Sequence, residues 1–318
     1  MAKDWTYEKG LHDLGGGSYA WLQPDGSWGW SNAGLVVDGE ASLLVDTLFD
    51  LRLTREMLAA MRDAVPAAAA IDTLVNTHAN GDHCYGNELV EGAVIVASRA
   101  CAEEMQELPP SALAALMKNA ADLGPAGAFF AQVFGPFEFD GITLTPPSET
   151  FEGRQTRQVG DKQVELIEVG PCHTKGDVIV HVPADRTVFT GDILFIDGHP
   201  ILWEGPIGNW IRACDTIAAL DAQAIVPGHG PITDAAGVEA LRGYLVHIEA
   251  EARARFEAGM PAREAARDIS LADYDAWGDA ERIAVNVATL YREFGDESPP
   301  PSPVELFGWM AELAADRR

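Results

Sequence analysis

His78, Asp82 and His83 fall within six residues, in the stretch Thr77-His78-Ala79-Asn80-Gly81-Asp82-His83. Two imidazoles and a carboxylate at that density supply the nitrogen and oxygen donors that suit Zn²⁺ or another borderline metal, rather than the oxygen shells of Mg²⁺ or Ca²⁺. A metal held by few protein ligands keeps an open position for water, which it acidifies. Three later segments repeat the same context, a strand that runs into a loop carrying one ligand-type residue. Residues 164–169 lead into Gly170-Pro171-Cys172-His173-Thr174-Lys175-Gly176-Asp177, residues 187–190 end on Gly191-Asp192, and residues 224–226 end on Pro227-Gly228-His229-Gly230.

Taken in order, H-x-N-x-D-H, G-x-C-H-T-x-G-D, T-G-D and P-G-H-G resemble the motifs of the metallo-β-lactamase superfamily of metal-dependent hydrolases, over residues 30–235. One position departs from the pattern, with Asn80 where the usual motif has His. The resemblance implies an α/β fold, a four-layer αβ/βα sandwich of two mixed sheets with helices outside. It implies one metal between His78, Asn80 and His173, a second held by Asp82, His83 and His229, and Asp192 bridging the two. Asp82 and Asp192 are then the catalytic carboxylates, orienting the nucleophile and accepting a proton as an intermediate collapses. The implied cofactor is Zn²⁺, one or two ions per chain, with Fe or Mn as alternatives. An amide oxygen is a poorer donor than imidazole, so the metal at His78 and His173 is expected to be the weaker of the two.

The activity implied is hydrolysis by a metal-bound hydroxide acting on an ester, thioester, lactone or amide carbonyl. Relatives in the superfamily keep two alternatives open, an iron-dependent oxidoreductase of the sulfur-dioxygenase type and a polyketide thioesterase/cyclase. A non-catalytic binding protein is the last reading, and retention of the other motif positions argues against it.

The elements that must position these residues can be traced along the chain. Residues 34–40 and 42–46 are two apolar runs joined by Asp38-Gly39, a hairpin signal. Residues 54–65 carry Leu58, Met61 and Val65 at helical spacing and stop at Pro66. The run 71–76 is a buried strand that delivers the His78 loop, and 93–97 is a central strand beside it. Residues 99–150 break this rhythm as a helical, Phe-rich insert with Phe129, Phe130, Phe134, Phe137 and Phe139. These aromatics either fasten the insert to the body or line an apolar pocket mouth, and they make a bulky apolar or cyclic substrate the preferred expectation. Residues 142–145 read as a resumed strand. His181 lies inside the strand 177–182 and reads as structural, whereas His199 reads as a solvated loop residue. The Gly- and Trp-rich stretch 1–30 either forms part of a rim over a pocket or covers a sheet edge, and the second is the preferred expectation. The hydrolase domain is placed at 1–235, followed by a helical extension at 236–318.

Composition bounds the partners. The 318 residues carry 47% hydrophobic and 22% charged side chains, ordinary for a globular protein, but a net charge of −27. That charge excludes nucleic acid and anionic membrane surfaces as partners and leaves a small-molecule substrate, with a homo-oligomer open. Cys84, Cys101, Cys172 and Cys214 have no pairing or zinc-ribbon spacing, and the N-terminus has no apolar core of a signal peptide. Both predict a reduced, cytoplasmic protein. Cys84 and Cys172 adjoin proposed ligands and are read as small packing residues, with a thiolate ligand as the alternative.

Overall fold

The structure is a computed structural model that describes residues 5–316. Seven strands form the first sheet: β1 (Gly10–Gly15), β2 (Ser18–Leu22), β3 (Ala33–Asp38), β4 (Ala41–Val45), β5 (Thr73–Val75), β6 (Val94–Ser98) and β7 (Glu149–Phe151), in that spatial order. The first four pair antiparallel and β4 to β7 pair parallel. The second sheet has the order β12-β11-β10-β9-β8, from β8 (Arg154–Val159), β9 (Lys162–Glu168), β10 (Val178–Val182), β11 (Thr187–Phe189) and β12 (Ala224–Val226). Only its β11–β12 pair is parallel.

The period-2 alternation of strand side chains explains why two sheets stack. β4 sends Leu43 and Val45 into the core between the sheets, with Val36, Val75, Val96, Val164, Val178 and Val226. The intervening residues Leu35, Leu44, Leu74, Ile95, Ile167 and Ile225 face the other way, into the core shared with the helices. Strands covered on both faces read as near-continuous apolar runs, as 71–76 and 177–182 do. His181 obeys the same register. It sits opposite Glu165 on β9 and its Nδ1 lies 3.1 Å from that carboxylate, a pairing away from the ligand loops.

Helix α1 (Leu51–Ala64) packs Leu53, Met57, Leu58 and Met61 on the first sheet, and its N-terminus is capped by Asp50, which accepts from Leu53 N–H at 2.7 Å. After the single turn α2 (Gly81–Cys84), the insert contains α3 (Arg99–Glu104), α4 (Pro110–Asn119) and α5 (Gly124–Phe134). Residues 142–145 are not a strand. Their polar groups bond to side chains instead, Thr143 N–H to Glu88 and Thr145 C=O to Asn87 Nδ2, and Pro146-Pro147 precludes ladder pairing beyond them. Helices α6 (Ile207–Ala219) and α7 (Ala235–Glu257) pack together, α8 (Ala262–Asp268) and α9 (Ile283–Glu293) pack on α7, and α10 (Pro303–Asp316) lies against α5 of the insert, with Phe307 on Phe130 and Phe134. Leu241, Leu245, Val287 and Leu290 of these helices share one core with Trp21, Leu44 and Phe134, so the C-terminal helices pack over the body. Among the described residues no helix is long and apolar enough to cross a membrane.

The β1–β2 hairpin extends the first sheet, and Trp21 is buried there. Trp28 does not cover a sheet edge. It lies 5.8 Å from Phe134 and 6.0 Å from Phe307, as part of a pocket wall. His199 is also placed differently from the expectation. It is fully buried against Tyr244 and Trp277, because its backbone N–H is held by Gly278 C=O and pulls the ring under α7.

Candidate metal centre

The loops after β4, β5, β11 and β12, with the loop between β9 and β10, converge at one end of the sandwich. They bring together His78, Asp82, His83, His173, Asp192 and His229, all buried. Asp192 is the meeting point. Its Oδ1 lies 3.1 Å from His83 Nε2, and its Oδ2 lies 3.3 Å from His173 Nε2, 3.4 Å from His229 Nε2 and 3.7 Å from His78 Nε2. Asp82 Oδ2 stands 3.3 Å from His229 Nε2 and 3.9 Å from His83 Nε2. Two groupings have ligand atoms close enough for one ion each, His78 with His83 and Asp192, and Asp82 with His83 and His229.

Each imidazole is anchored on its outer side. His83 Nδ1 bonds Asp46 Oδ2 at 2.9 Å, His173 Nδ1 bonds Ile201 C=O at 2.7 Å, and His229 Nδ1 bonds Gly26 C=O at 3.0 Å. Thr77 Oγ1 donates to Asp46 at 2.7 Å and stands 3.0 Å from His78 Nδ1, which can only donate to it. A ring that donates through Nδ1 keeps the Nε2 lone pair free, and here that atom points inward in all four. His78 Nε2, His83 Nε2 and Asp192 Oδ1 are buried without a hydrogen-bond partner among the described residues. Buried, unpaired polar atoms at this density are costly unless an ion satisfies them, so the donor set fits a metal.

Electrostatics lead to the same conclusion. Burial opposes charge on His83 and His229, yet Asp192 and Asp82 outweigh it, raising His83 well above the ordinary imidazole value and His229 to about 9. Burial pushes His78 and His173 the other way. Burial also opposes the charge on Asp192, but His229, His83 and His78 hold it well below the usual carboxylate range. The cluster attracts positive charge, as a dication site must.

Asn80 takes a different place from a simple ligand. Its Nδ2 lies 3.0 Å from His173 Nε2, the atom that the Ile201 carbonyl leaves free to accept. The two cysteines beside ligands remain thiols. Cys84 donates to Ala79 C=O and Cys172 to Val169 C=O at 3.1 Å, and burial raises both. Neither falls in a metal grouping among the described residues.

In the sequence Asp46 is only the last residue of the run 42–46. The structure makes it the outer anchor of two imidazoles, accepting from Thr77 N–H at 2.7 Å, Thr77 Oγ1 and His83 Nδ1. A carboxylate ending an apolar strand beside a ligand loop was the available signal. All three partners donate, so Asp46→Asn would set an amide NH₂ against donors. Metal affinity is expected to fall by roughly 10–100-fold, read by competition with a chromogenic chelator. Gly228 is needed for contact, since a Cβ there would collide with Asp192 Oδ1.

Above the cluster lies a cavity of about 450 Å³, with Phe49, Leu113, Phe130, Phe134, Phe195 and Phe307 among its walls. Phe130 and Phe134 come from the insert, so the Phe-rich stretch both packs on the body and lines the pocket. The whole is a metal-binding cluster consistent with a hydrolytic, metal-dependent active site for a carbonyl substrate.

The chain is also similar to several known proteins. A probable hydroxyacylglutathione hydrolase of Schizosaccharomyces pombe is 35% identical over 102 residues, covering 31% of this chain and 38% of that protein. A hydroxyacylglutathione hydrolase of Mesorhizobium japonicum is 31% identical over 106 residues, covering 33% and 41%. The chain thus matches about two-fifths of the length of these curated relatives. Among solved structures, a sec-alkylsulfatase from Pseudomonas sp. superposes with a TM-score of 0.68 at 17% identity, over 93% of this chain and 53% of that one. A metallo-beta-lactamase from Pontibacter korlensis gives 0.55 at 19% identity, over 75% and 99%. These two likenesses concern the fold. The sequence pattern of the Metallo-beta-lactamase superfamily matches residues 26–229, and the chain belongs to that superfamily.

Proposed function

We propose that the protein is a zinc-dependent hydrolase that cleaves an ester, thioester, lactone or amide carrying a bulky apolar or cyclic group. The observation that supports it is the common orientation of four imidazoles, each anchored through Nδ1 and each presenting Nε2 toward Asp192. His78 and His173, with Asn80, would hold one ion, and Asp82, His83 and His229 the other, with Asp192 shared between them. When bound, such ions acidify water and polarise a carbonyl. The chain's own residues do the rest. Asp82, whose Oδ2 faces His229 at the cavity floor, accepts a proton from the attacking water and returns it to the leaving group. Asn80 also lines the cavity, where its amide can bind a substrate oxygen. The aromatic wall strips water from the acyl group and orients it.

The test is elemental analysis by mass spectrometry of protein purified without chelator, together with an ester, thioester and lactone panel. About two zinc ions per chain are expected, with turnover lost on chelation and restored by zinc. Protein that lacks metal and gains no activity when metal is added would sink the reading. The wall predicts selectivity as well. Across a 4-nitrophenyl ester series from acetate to octanoate, kcat/KM should rise by up to about fourfold per methylene, the equivalent of about 0.8 kcal/mol per buried CH₂. Phe134→Ala should flatten that rise. A flat profile in the unaltered protein would show that the wall does not hold the acyl chain.

A further inference from the structure

Arg282 is 2% exposed and lines the same cavity as Asp82, Asp192 and His229, although it comes from the turn that precedes α9. Its Nη1 donates to His199 C=O at 2.8 Å and its Nη2 lies 3.1 Å from Asp279 Oδ2. Its Nε is buried and has no hydrogen-bond partner among the described residues. The guanidinium is held by two rings, 4.5 Å over Trp28 and 5.3 Å over Phe195. Phe195 in turn stacks on His229 at 5.1 Å with the planes 1° apart, so a single ring separates the guanidinium from a ligand-type imidazole.

The turn that carries Arg282 is fastened to the opposite wall. Asp279 Oδ1 accepts from Ser27 Oγ at 2.6 Å, and Glu281 Oε1 accepts from Trp28 Nε1 at 2.9 Å. These contacts take up the acidic neighbours and fix the arginine in place. A guanidinium has five N–H donors in a rigid plane and cannot shed its charge, so the wall of this cavity carries a fixed positive charge with one buried N–H donor left over among the described residues.

We infer that Arg282 is the receptor for a carboxylate on the substrate, so that the substrate is an acyl compound with an apolar body and one anionic group. This rests on the hydrolase reading of the cavity. A single charge is favoured over a phosphate dianion, because Arg282 already shares its charge with Asp279, and Glu104 and Glu107 also line the cavity. The wall of aromatic side chains takes the apolar body, and the arginine fixes which end faces the metal ligands.

Binding is read without turnover, using 4-phenylbutyrate and the matched neutral 4-phenylbutanamide as probes, by calorimetry on the purified full-length protein. The unaltered protein should bind the carboxylate at least tenfold more tightly, and Arg282→Gln should lose that preference while its metal content, measured in parallel, stays the same. Equal affinities for the two probes in the unaltered protein would overturn the assignment, and that arm needs no variant to fold. A preference retained by Arg282→Gln would also overturn it, by assigning the carboxylate to the metal ions. In a second arm, mono-4-nitrophenyl adipate is compared with 4-nitrophenyl hexanoate, and the half-ester should be favoured through KM. If neither ester nor any member of the panel is turned over while the binding preference stands, the hydrolase reading fails and the anion site remains.

Discussion

Asp192→Ala should leave the protein unable to hold its full metal complement and should abolish turnover. One carboxylate here touches four imidazoles, with Oδ1 on His83 and Oδ2 within 3.3–3.7 Å of His173, His229 and His78. Loss of an outer anchor costs roughly 10–100-fold in metal affinity or activity. On the proposed assignment Asp192 would bind the ions directly, and its removal should exceed the upper figure for both quantities. Metal per chain should fall by at least half, and kcat/KM on any substrate of the panel should fall below the detection limit. Asp192→Asn serves as the volume-matched control, because it keeps the side-chain volume beside Gly228 while replacing one charged acceptor by an amide NH₂. If Asp192→Ala retains both ions at unaltered affinity, the shared position assigned to this residue is wrong.

The reason so much of this centre could be read from the sequence is that its pieces are local. Each ligand-type residue lies in a loop after a strand that is apolar or, for β9, alternating, and the strand's pattern announces the loop that follows it. His78, Asp82 and His83 are also neighbours in the chain, so one motif delivers half of the cluster. The parts that escaped are those made by contacts distant in sequence. Arg282 meets Trp28 only because the turn at 279–281 is tied to Ser27 and Trp28, and nothing in either local pattern announces that tie. His199 reads as a loop residue until the C-terminal helices cover it.

The strands that escaped share another cause. β8 alternates exposed and half-buried polar residues and ends on the buried Val159, so pairing with β9 holds it rather than burial. β1 has glycine at both ends and an exposed Asp13, and it is likewise an edge strand. Hydrophobic periodicity detects strands that are covered on a face and is blind to edges that pairing alone maintains. Residues 142–145 show the converse, a β-branched pattern that no neighbouring strand completes.

Asn80→His should strengthen the ion at His78 and His173 and change the stoichiometry rather than the fold. In the native chain the Asn80 amide spends a donor on His173 Nε2 at 3.0 Å, and that lone pair is the one a metal would use. Asn80 therefore contributes an uncharged, weaker ligand at best and competes for its neighbour's donor atom at worst. An imidazole at position 80 has a stronger donor, and once metal is bound it offers no N–H to His173 through that atom. Removal of an outer-shell partner moves affinity by roughly 10–100-fold, so replacing a competing amide by a direct ligand should raise affinity by at least that range. The readout is the number of ions retained through dialysis against a graded chelator series. The native protein should lose one ion early and the second late, and the variant should lose both late. The early ion should belong to the His78 and His173 position, because Asp82, His83 and His229 form a complete triad without Asn80. Unchanged early loss in Asn80→His would remove position 80 from the metal shell and leave it as a residue that faces substrate.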